Sequence, residues 1–336
     1  MKIDAGIPTN DPKESGKATK LLEDLGFDGA FTAETSHDPF LPLVTAAIET
    51  EKIELVTAIA VAFARNPMTL ANLGYDLQKL SKGRFILGLG SQIKPHITKR
   101  FSMSWSSPAA RMKELVEAIR AIWDCWQNES KLDFRGEYYT HTLMTPFFNP
   151  GPNPYGLPKI YVAAVGPLMT KSVAQSADGL LVHPFHTPKY MRETTLPIVE
   201  EGLSLAGKTR SDFDLSISVM TATGLSEETY MNAVNACKSG IAFYASTPAY
   251  KGVLEAHGYG DLQGRLNLLS KEGKWKEMSS LIDDELLNTV AVVRETPEAV
   301  SEEIKKRYGD QGDRITPAFY SGEEGLASRV IDALRD

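Results

Sequence analysis

Imidazoles are the side chains best suited to moving a proton near neutral pH, and this chain has six of them. His37 sits in Ala33-Glu34-Thr35-Ser36-His37-Asp38, where two carboxylates and an imidazole fall within six residues. Two outcomes are open for it. It serves as an acid or base, or it is a loop histidine before a helix starting near Pro39, with Asp38 as the cap. His96 and Arg100 stand four apart in a long loop and would face an anionic ligand or solvent. Arg65, just ahead of Asn66-Pro67, would grip a phosphate or carboxylate with its fork, or pair with a glutamate. His183-Pro184-Phe185-His186 has a spacing that suggests metal. Pro184 and Pro188 oppose a regular helix there, and no carboxylate or third histidine lies close in sequence, so no metal is expected. Cys125 and Cys237 lack C-x-x-C spacing and read as buried, inert thiols.

These residues need elements to place them. Apolar strand-like runs occur at Ile3–Ile7, Gly29–Thr32, Leu55–Val61, Phe85–Leu89, Ile160–Ala164, Leu180–Val182, Leu215–Val219 and Ile315–Phe319. Between them lie runs with a period near 3.6: Lys13–Leu25, Leu41–Thr50, Met68–Leu80, Ala109–Trp126, Leu168–Ser176, Lys189–Leu205 and Glu227–Ala245. A last helix is expected over Glu323–Leu334. Strict alternation implies a parallel sheet covered by helices, and eight units imply a (β/α)8 TIM barrel. Such a barrel carries its chemistry at the strand C-terminal ends. The fourth strand ends in Gly88-Leu89-Gly90-Ser91-Gln92, and small residues there are expected to let a ligand approach the backbone. Loop insertions are expected after strand 4 (Ser91–Pro108, then Lys131–Pro158 with a hairpin at FRGEYYTH) and between helix 7 and strand 8 (Ser246–Arg294). No linker splits residues 1–336, so one domain is expected.

Bulk composition narrows the class. Hydrophobic content of 42% with 24% charged residues is that of a globular protein. No apolar run approaches the ~18 residues of a membrane span, and the start of the chain has no signal-peptide pattern, so a cytoplasmic location is expected. A net charge of −7 without a basic patch argues against a nucleic-acid partner.

Three segments resemble the bacterial luciferase-like superfamily. TAIAVAFARNPMTLANLGYDLQKLSKGRFILGLGSQ looks like its third and fourth strands. KIYVAAVGPLMTKSVAQSADGLLVHP looks like its fifth strand, phosphate loop and sixth strand, and TPEAVSEEIKKRYGDQGDRI like its C-terminal unit. AETSHDPFLPL, GLGSQIKPHITKRFSMSWSSPAARMKE and IAFYASTPAY further resemble the group assigned to the deazaflavin coenzyme F420; relatives elsewhere use FMN. The resemblance implies a (β/α)8 barrel with a flavin-type ring at the strand C-terminal face.

It also implies roles. Ala58-Ile59 matches a non-proline cis peptide in a bulge that backs the ring; without the resemblance it reads as buried strand. Ala164, Val165 and Gly166 match the phosphate loop, where a helix start favours an anion; the plain alternative is a routine strand-to-helix turn. Glu34-Thr35 stands where many relatives have an acid–histidine pair, so the imidazole is displaced to His37. Ser91 and Gln92 match groups that bond the ring's edge, and Ile93 stands where some relatives have a catalytic glutamate. His183 matches a contact to the cofactor tail or substrate. His37 and His96 are the remaining candidates for acid–base catalysis.

Three functions compete at this point. The first is hydride exchange between F420 and a small organic substrate. The second is an FMN-dependent monooxygenase using O2 and reduced flavin from a partner reductase. The third is a non-catalytic flavin-binding barrel. A flavin or deazaflavin reductase as partner and a homodimer are both left open.

Overall fold

Eight parallel strands close on themselves in the computed structural model, which describes residues 1–320, 323 and 325–335. They are β1 (Lys2–Gly6), β2 (Gly29–Thr32), β3 (Glu54–Thr57), β4 (Phe85–Gly90), β5 (Lys159–Ala164), β6 (Gly179–Val182), β7 (Asp214–Ala222) and β8 (Arg314–Phe319). Each pairs with the next, and β8 returns to β1 through Lys2↔Arg314 and Ile3↔Ile315, so the main sheet closes as the alternation predicts. Outside it lie α1 (Pro12–Asp24), α2 (Leu41–Glu49), α3 (Pro67–Leu80), α4 (Pro108–Asn128), α5 (Pro167–Ser176), α6 (Leu196–Leu205) and α7 (Glu227–Ala245). Their starts follow local chemistry. Asn66 Oδ1 accepts from Thr69 N at 2.9 Å ahead of Pro67, and Asp11 Oδ1 accepts from Lys13 N at 2.9 Å ahead of Pro12.

The outward strand side chains, among them Leu55, Leu87, Val162, Ile217 and Ile315, are buried in one core beneath the helices. Inside the barrel, Phe31, Val56, Ile86, Tyr161, Ala163 and Leu181 form a separate apolar cluster with Ala58 and Ile59. Below it the N-terminal end is closed by charge. The Arg314 guanidinium grips Asp4 through Nε and Nη2 at 2.8 and 2.7 Å, and its Nη1 also bonds Glu54.

The insertion after α7 is four helices: α8 (Lys251–Glu255), α9 (Gly260–Lys271), α10 (Trp275–Ser280) and α11 (Asp284–Val290). They bury a second core with α7, including Met220, Cys237, Ile241, Leu254, Leu266 and Leu287. A short strand, Val292–Val293, then extends the sheet beside the end of β7. It leads into α12 (Pro297–Tyr308), and α13 (Leu326–Arg335) follows β8. Glu324, in the expected first turn of the last helix, lies outside the described residues. FRGEYYTH does form a hairpin, Phe134–Arg135 against Thr140–His141. No helix among the described residues is long and apolar enough to cross a membrane.

Two expected elements differ. The strand expected over Leu55–Val61 is broken: β3 stops at Thr57, and Ala60–Val61 pairs separately with β4. The helix expected over Lys189–Leu205 begins with a Thr187-capped turn and passes through π-type turns at Met191–Thr195. Pro197 has no N–H to give the carbonyl four residues back, and the chain widens just before it.

Candidate active site

The break in the third strand organises one side of the barrel mouth. Thr57 turns its side chain into the ladder: Oγ1 donates to Gly88 O at 2.7 Å and accepts from Gly88 N at 2.9 Å. Ala58 N still donates to Thr32 O (2.7 Å), and Glu34 N donates to Ile59 O (3.1 Å), so β2 follows the bulge. The Ala58–Ile59 peptide is cis. Both residues are half-buried and belong to the apolar cluster inside the barrel.

This geometry corrects the reading of the small residues in β4. A Cβ on Gly88 would lie 1.7 Å from the Thr57 carbonyl oxygen, and one on Gly90 would lie 2.8 Å from the Ile59 side chain. These glycines make room for the bulge, not for a ligand.

Glu34 is nearly buried, with 9% of its surface exposed. Its Oε2 accepts from Val61 N at 2.7 Å and from Arg65 Nη1 at 2.6 Å. Arg65 Nη2 reaches Asp38 Oδ2 at 3.0 Å, and Asp38 Oδ1 accepts from Phe40 N at 2.8 Å at the start of α2. Glu34 is therefore a brace that holds both ends of the bulge, through its own N–H to Ile59 and its carboxylate to Val61. Arg65 serves the same brace. Replacing Glu34 by alanine is expected to cost about 1–3 kcal/mol, because it strands the buried Val61 N–H, while the half-buried Arg65 keeps Asp38 and the Val61 carbonyl as partners. Glu34→Gln keeps an acceptor for Val61 and is expected to lose less; urea unfolding of both variants checks the order.

The other expected residues divide between loops. Ser91 and Gln92 follow β4, half-buried; Gln92 takes a left-handed φ of 58° while its Oε1 accepts from Ile93 N at 3.1 Å. Its side-chain NH2 has no partner among the described residues. A π-type turn, His96–Arg100, returns across the mouth, and Arg100 Nη2 donates to the Thr35 carbonyl. Thr35 and His96 are thus brought to one region, though both are exposed. His37 is exposed and makes no side-chain hydrogen bond or ion pair with the described residues; the N-cap of α2 is Phe40, and Asp38 Oδ1 accepts from Phe40 N and Leu41 N beside it.

On the far side, Ala164, Val165 and Gly166 lead from β5 into α5. Gly166 is the N-cap, and among the described residues no side chain caps the first turn and a Cβ at Gly166 would meet nothing within 4 Å. The first-turn N–H groups are open to an anion.

His183 follows β6. Its ring stacks on Tyr250 at 4.6 Å and meets the edge of Tyr244 at 4.7 Å. Burial, with a smaller contribution from His186, pushes its pKa down to about 3, and burial pushes His186 down to about 4. In the unfolded chain both would protonate near 6.5. Stability from these two groups is present above that value and is lost as pH falls toward 4. Near pH 5 the cost is about 2 kcal/mol for His186, at ~1.4 kcal/mol per pH unit. Calorimetry is expected to show a Tm falling from pH 7 to pH 5 and a shallower fall in His186→Phe.

Four contributors were not among the residues expected from the sequence. Ser216 and Ser218 alternate with Leu215, Ile217 and Val219, which are buried in the outer core; the hydroxyls therefore face the barrel interior, half-buried. That alternation is legible in the chain. Tyr244 and Tyr250 lie in IAFYASTPAY, a segment that the resemblance marked, but nothing local announces that they reach His183 from α7 and the turn after it. No group of three or more metal-ligating side chains exists among the described residues.

The family model described as luciferase-like monooxygenase matches residues 2–314. The chain belongs to the luciferase-like family. Within that family it is 49% identical over 335 residues to an uncharacterized protein of Mycobacterium tuberculosis, covering 100% of this chain and 98% of the relative. It is 29% identical over 298 residues to the 5,10-methylenetetrahydromethanopterin reductase of Archaeoglobus fulgidus, covering 85% and 83%. The structure of the coenzyme F420-dependent tetrahydromethanopterin reductase from Methanopyrus kandleri superposes with a TM-score of 0.80 at 21% identity, covering 99% of this chain and 98% of that one. This luciferase-like chain therefore has oxidoreductase relatives and the same barrel.

Proposed function

We propose that the chain is an F420-dependent oxidoreductase acting on a small organic substrate. The observation that carries the reading is the bulge at Ala58–Ile59, which presents an apolar, braced surface to the lumen at the active end of the barrel. A flat ring fits against Ala58 and Ile59, with Phe31 and Ala163 in the same apolar cluster. An anionic tail fits the uncapped start of α5 at Gly166. The sequence similarity to a methylenetetrahydromethanopterin reductase and, at 30% identity over 233 residues, to an F420-dependent glucose-6-phosphate dehydrogenase supports F420 over FMN.

Bound F420 supplies the hydride chemistry. The protein's part is to bind, orient and exclude water. Ala58 and Ile59 support one face of the ring, and Glu34 with Arg65 keeps that support in place. Ser91 and the free amide of Gln92 hold the polar edge. Ala164, Val165 and Gly166 hold the tail. Ser216 and Ser218 give polar contacts on the opposite wall. Of the imidazoles, His96 is placed by the turn that Arg100 ties to Thr35, so it is the stronger candidate to pass a proton to solvent; His37 is the second.

Anaerobic mixing with chemically reduced F420 and a panel of ketones and imines tests this. Return of the oxidised cofactor's visible absorbance, dependent on protein and acceptor, is expected. Protein-dependent transfer of an oxygen atom from O2 into the substrate with reduced FMN, in place of that signal, would support the monooxygenase reading instead.

A further inference from the structure

The inward side chains of such a barrel stack in layers drawn from alternate strands. On β1, β3, β5 and β7 the lower layer is Asp4, Val56, Tyr161 and Ser216. Val56 and Tyr161 belong to the apolar cluster inside the barrel, and Asp4 holds Arg314 there. Two residues nearer the mouth, the same chain segments carry Gly6, Ala58, Ala163 and Ser218. Phe31, Leu181 and Thr316 of β2, β6 and β8 stand between these layers. Phe31 is the register partner of Gly6 and Val56, Leu181 of Ala163 and Ser216, and Thr316 of Ser218.

Bulky branched residues ordinarily fill such layers. Here the layer nearest the mouth holds only small ones, and it stands open. Gly6 is exposed, and Ala58, Ala163 and Ser218 are half-buried, although all four face the interior. One truncated leucine in a closed core leaves a cavity of about 150 Å³, which admits benzene; a whole layer of small residues leaves room for a molecule of at least that size. The Phe31 ring closes this well from below, 3.2 Å from where a Cβ on Gly6 would lie.

Small residues alone do not make a site, but two hydroxyls point into this one. Thr316 is 6% exposed, and its neighbour Ile315 lies in the outer core, so its side chain faces the interior. Neither its hydroxyl nor that of Ser218 has a hydrogen-bond partner among the described residues. Neither oxygen is among the sealed, unpartnered atoms, so both open on the well. As register partners on adjacent strands they stand roughly 5 Å apart, close enough to share one oxygen. Neither of these two layers contains an ionisable side chain. The nearest charges below, Asp4 and Arg314, are taken up by each other.

We propose that this well is the substrate's place, and that Ser218 and Thr316 together hold the oxygen of a small neutral carbonyl compound or alcohol. Hydroxyls donate to a carbonyl and both donate to and accept from an alcohol, so the pair suits either. A carboxylate or phosphate is rejected, because nothing in the well offsets the burial of its charge. β7 is four strands from β3 in the eight-strand ring, so the oxygen is held on the wall facing Ala58. The inference rests on the reading that a ring-bearing cofactor lies against the bulge, and it narrows the substrate to uncharged molecules.

The test uses the full chain with carbon-13 methyl alanine and threonine, observed by NMR. Ala58, Ala163 and Thr316 signals are assigned by their loss in Ala58→Gly, Ala163→Gly and Thr316→Val, or by contacts to the Phe31 ring protons where a variant does not fold. Cyclohexanone and cyclohexanecarboxylate are titrated separately. Saturable shifts at Ala163 and Thr316 are expected with the ketone, and binding at least about tenfold weaker with the carboxylate. Ser218→Ala and Thr316→Val are each expected to weaken the ketone about threefold, and the double variant about tenfold, read at Ala163. No shift at these methyls, a carboxylate bound as well as the ketone, or a double variant that binds the ketone as wild type does overturns the proposal. The comparison of the two ligands needs no variant, so it stands even if the double variant does not fold. F420 is then titrated by fluorescence. Equal affinity for wild type and double variant is expected; a tenfold loss assigns the hydroxyls to the cofactor and overturns the proposal. A protein that binds no F420 would sink the functional reading and leave the ketone result intact.

Discussion

Gly88→Ala is expected to cost about 3–5 kcal/mol and to abolish cofactor binding, although it adds one methyl group. The added Cβ would sit 1.7 Å from the Thr57 carbonyl oxygen and 2.9 Å from its carbonyl carbon. Both are backbone atoms, so no rotamer change relieves the clash. Either β3 and β4 move apart or the bulge collapses, and both routes break the paired bonds between Thr57 Oγ1 and Gly88. Since Ala58 and Ile59 follow directly, the surface offered to the ring is lost with them. Gly166→Ala is the control: its Cβ meets nothing within 4 Å, and its φ of −92° suits any residue. Its stability is expected to stay within about 0.5 kcal/mol of wild type. Thermal and urea unfolding, with F420 titration of whatever folds, separates the two.

Arg314→Ala is the second large effect, at the opposite end of the barrel. The guanidinium is 3% exposed and grips a buried Asp4 with two bonds while reaching Glu54. Removing it leaves a carboxylate buried without its cation, a loss of about 3–5 kcal/mol. The cluster fills its space: a Cβ on Gly29 would lie 2.3 Å from Asp4 Oδ1 and 2.4 Å from Arg314 Nη2. The double variant Asp4→Asn with Arg314→Met removes both charges and is expected to recover part of the loss. Urea unfolding measures both. The folded fraction of either is expected to bind cofactor as wild type does, because this cluster closes the end away from the mouth.

Much of the fold was legible because its signals are local. Leu-Val-Thr-Ala-Ile-Ala-Val and Phe-Ile-Leu-Gly-Leu-Gly are buried runs, and the helices between them carry Asn, Asp and Pro at their starts. The bulge was not local. Nothing in an apolar run from Val56 to Val61 marks a break at Ala58–Ile59, and only resemblance pointed to it. The glycines of β4 were read as room for a ligand because strand alternation cannot show that the neighbouring strand bulges into that room. Glu34 was matched by resemblance to the acid of an acid–histidine pair, whereas its partners Val61 and Arg65 lie 27 and 31 residues away in sequence. The Asp4–Arg314 pair spans 310 residues and exists only because the barrel closes. His183 was found by matching a motif, but its aromatic seat depends on Tyr244 at the end of α7 and Tyr250 in the turn after it, and nothing local gave a sign of that packing.

Fluorescence titration of the purified protein with F420, repeated with FMN, bears most directly on the claim that the braced bulge and the open start of α5 form a deazaflavin site. The account predicts saturable F420 binding with a Kd on the order of micromolar, corresponding to about −8 kcal/mol, and FMN binding at least about tenfold weaker, roughly 1.4 kcal/mol less favourable. Tight FMN binding with no response to F420 would contradict it.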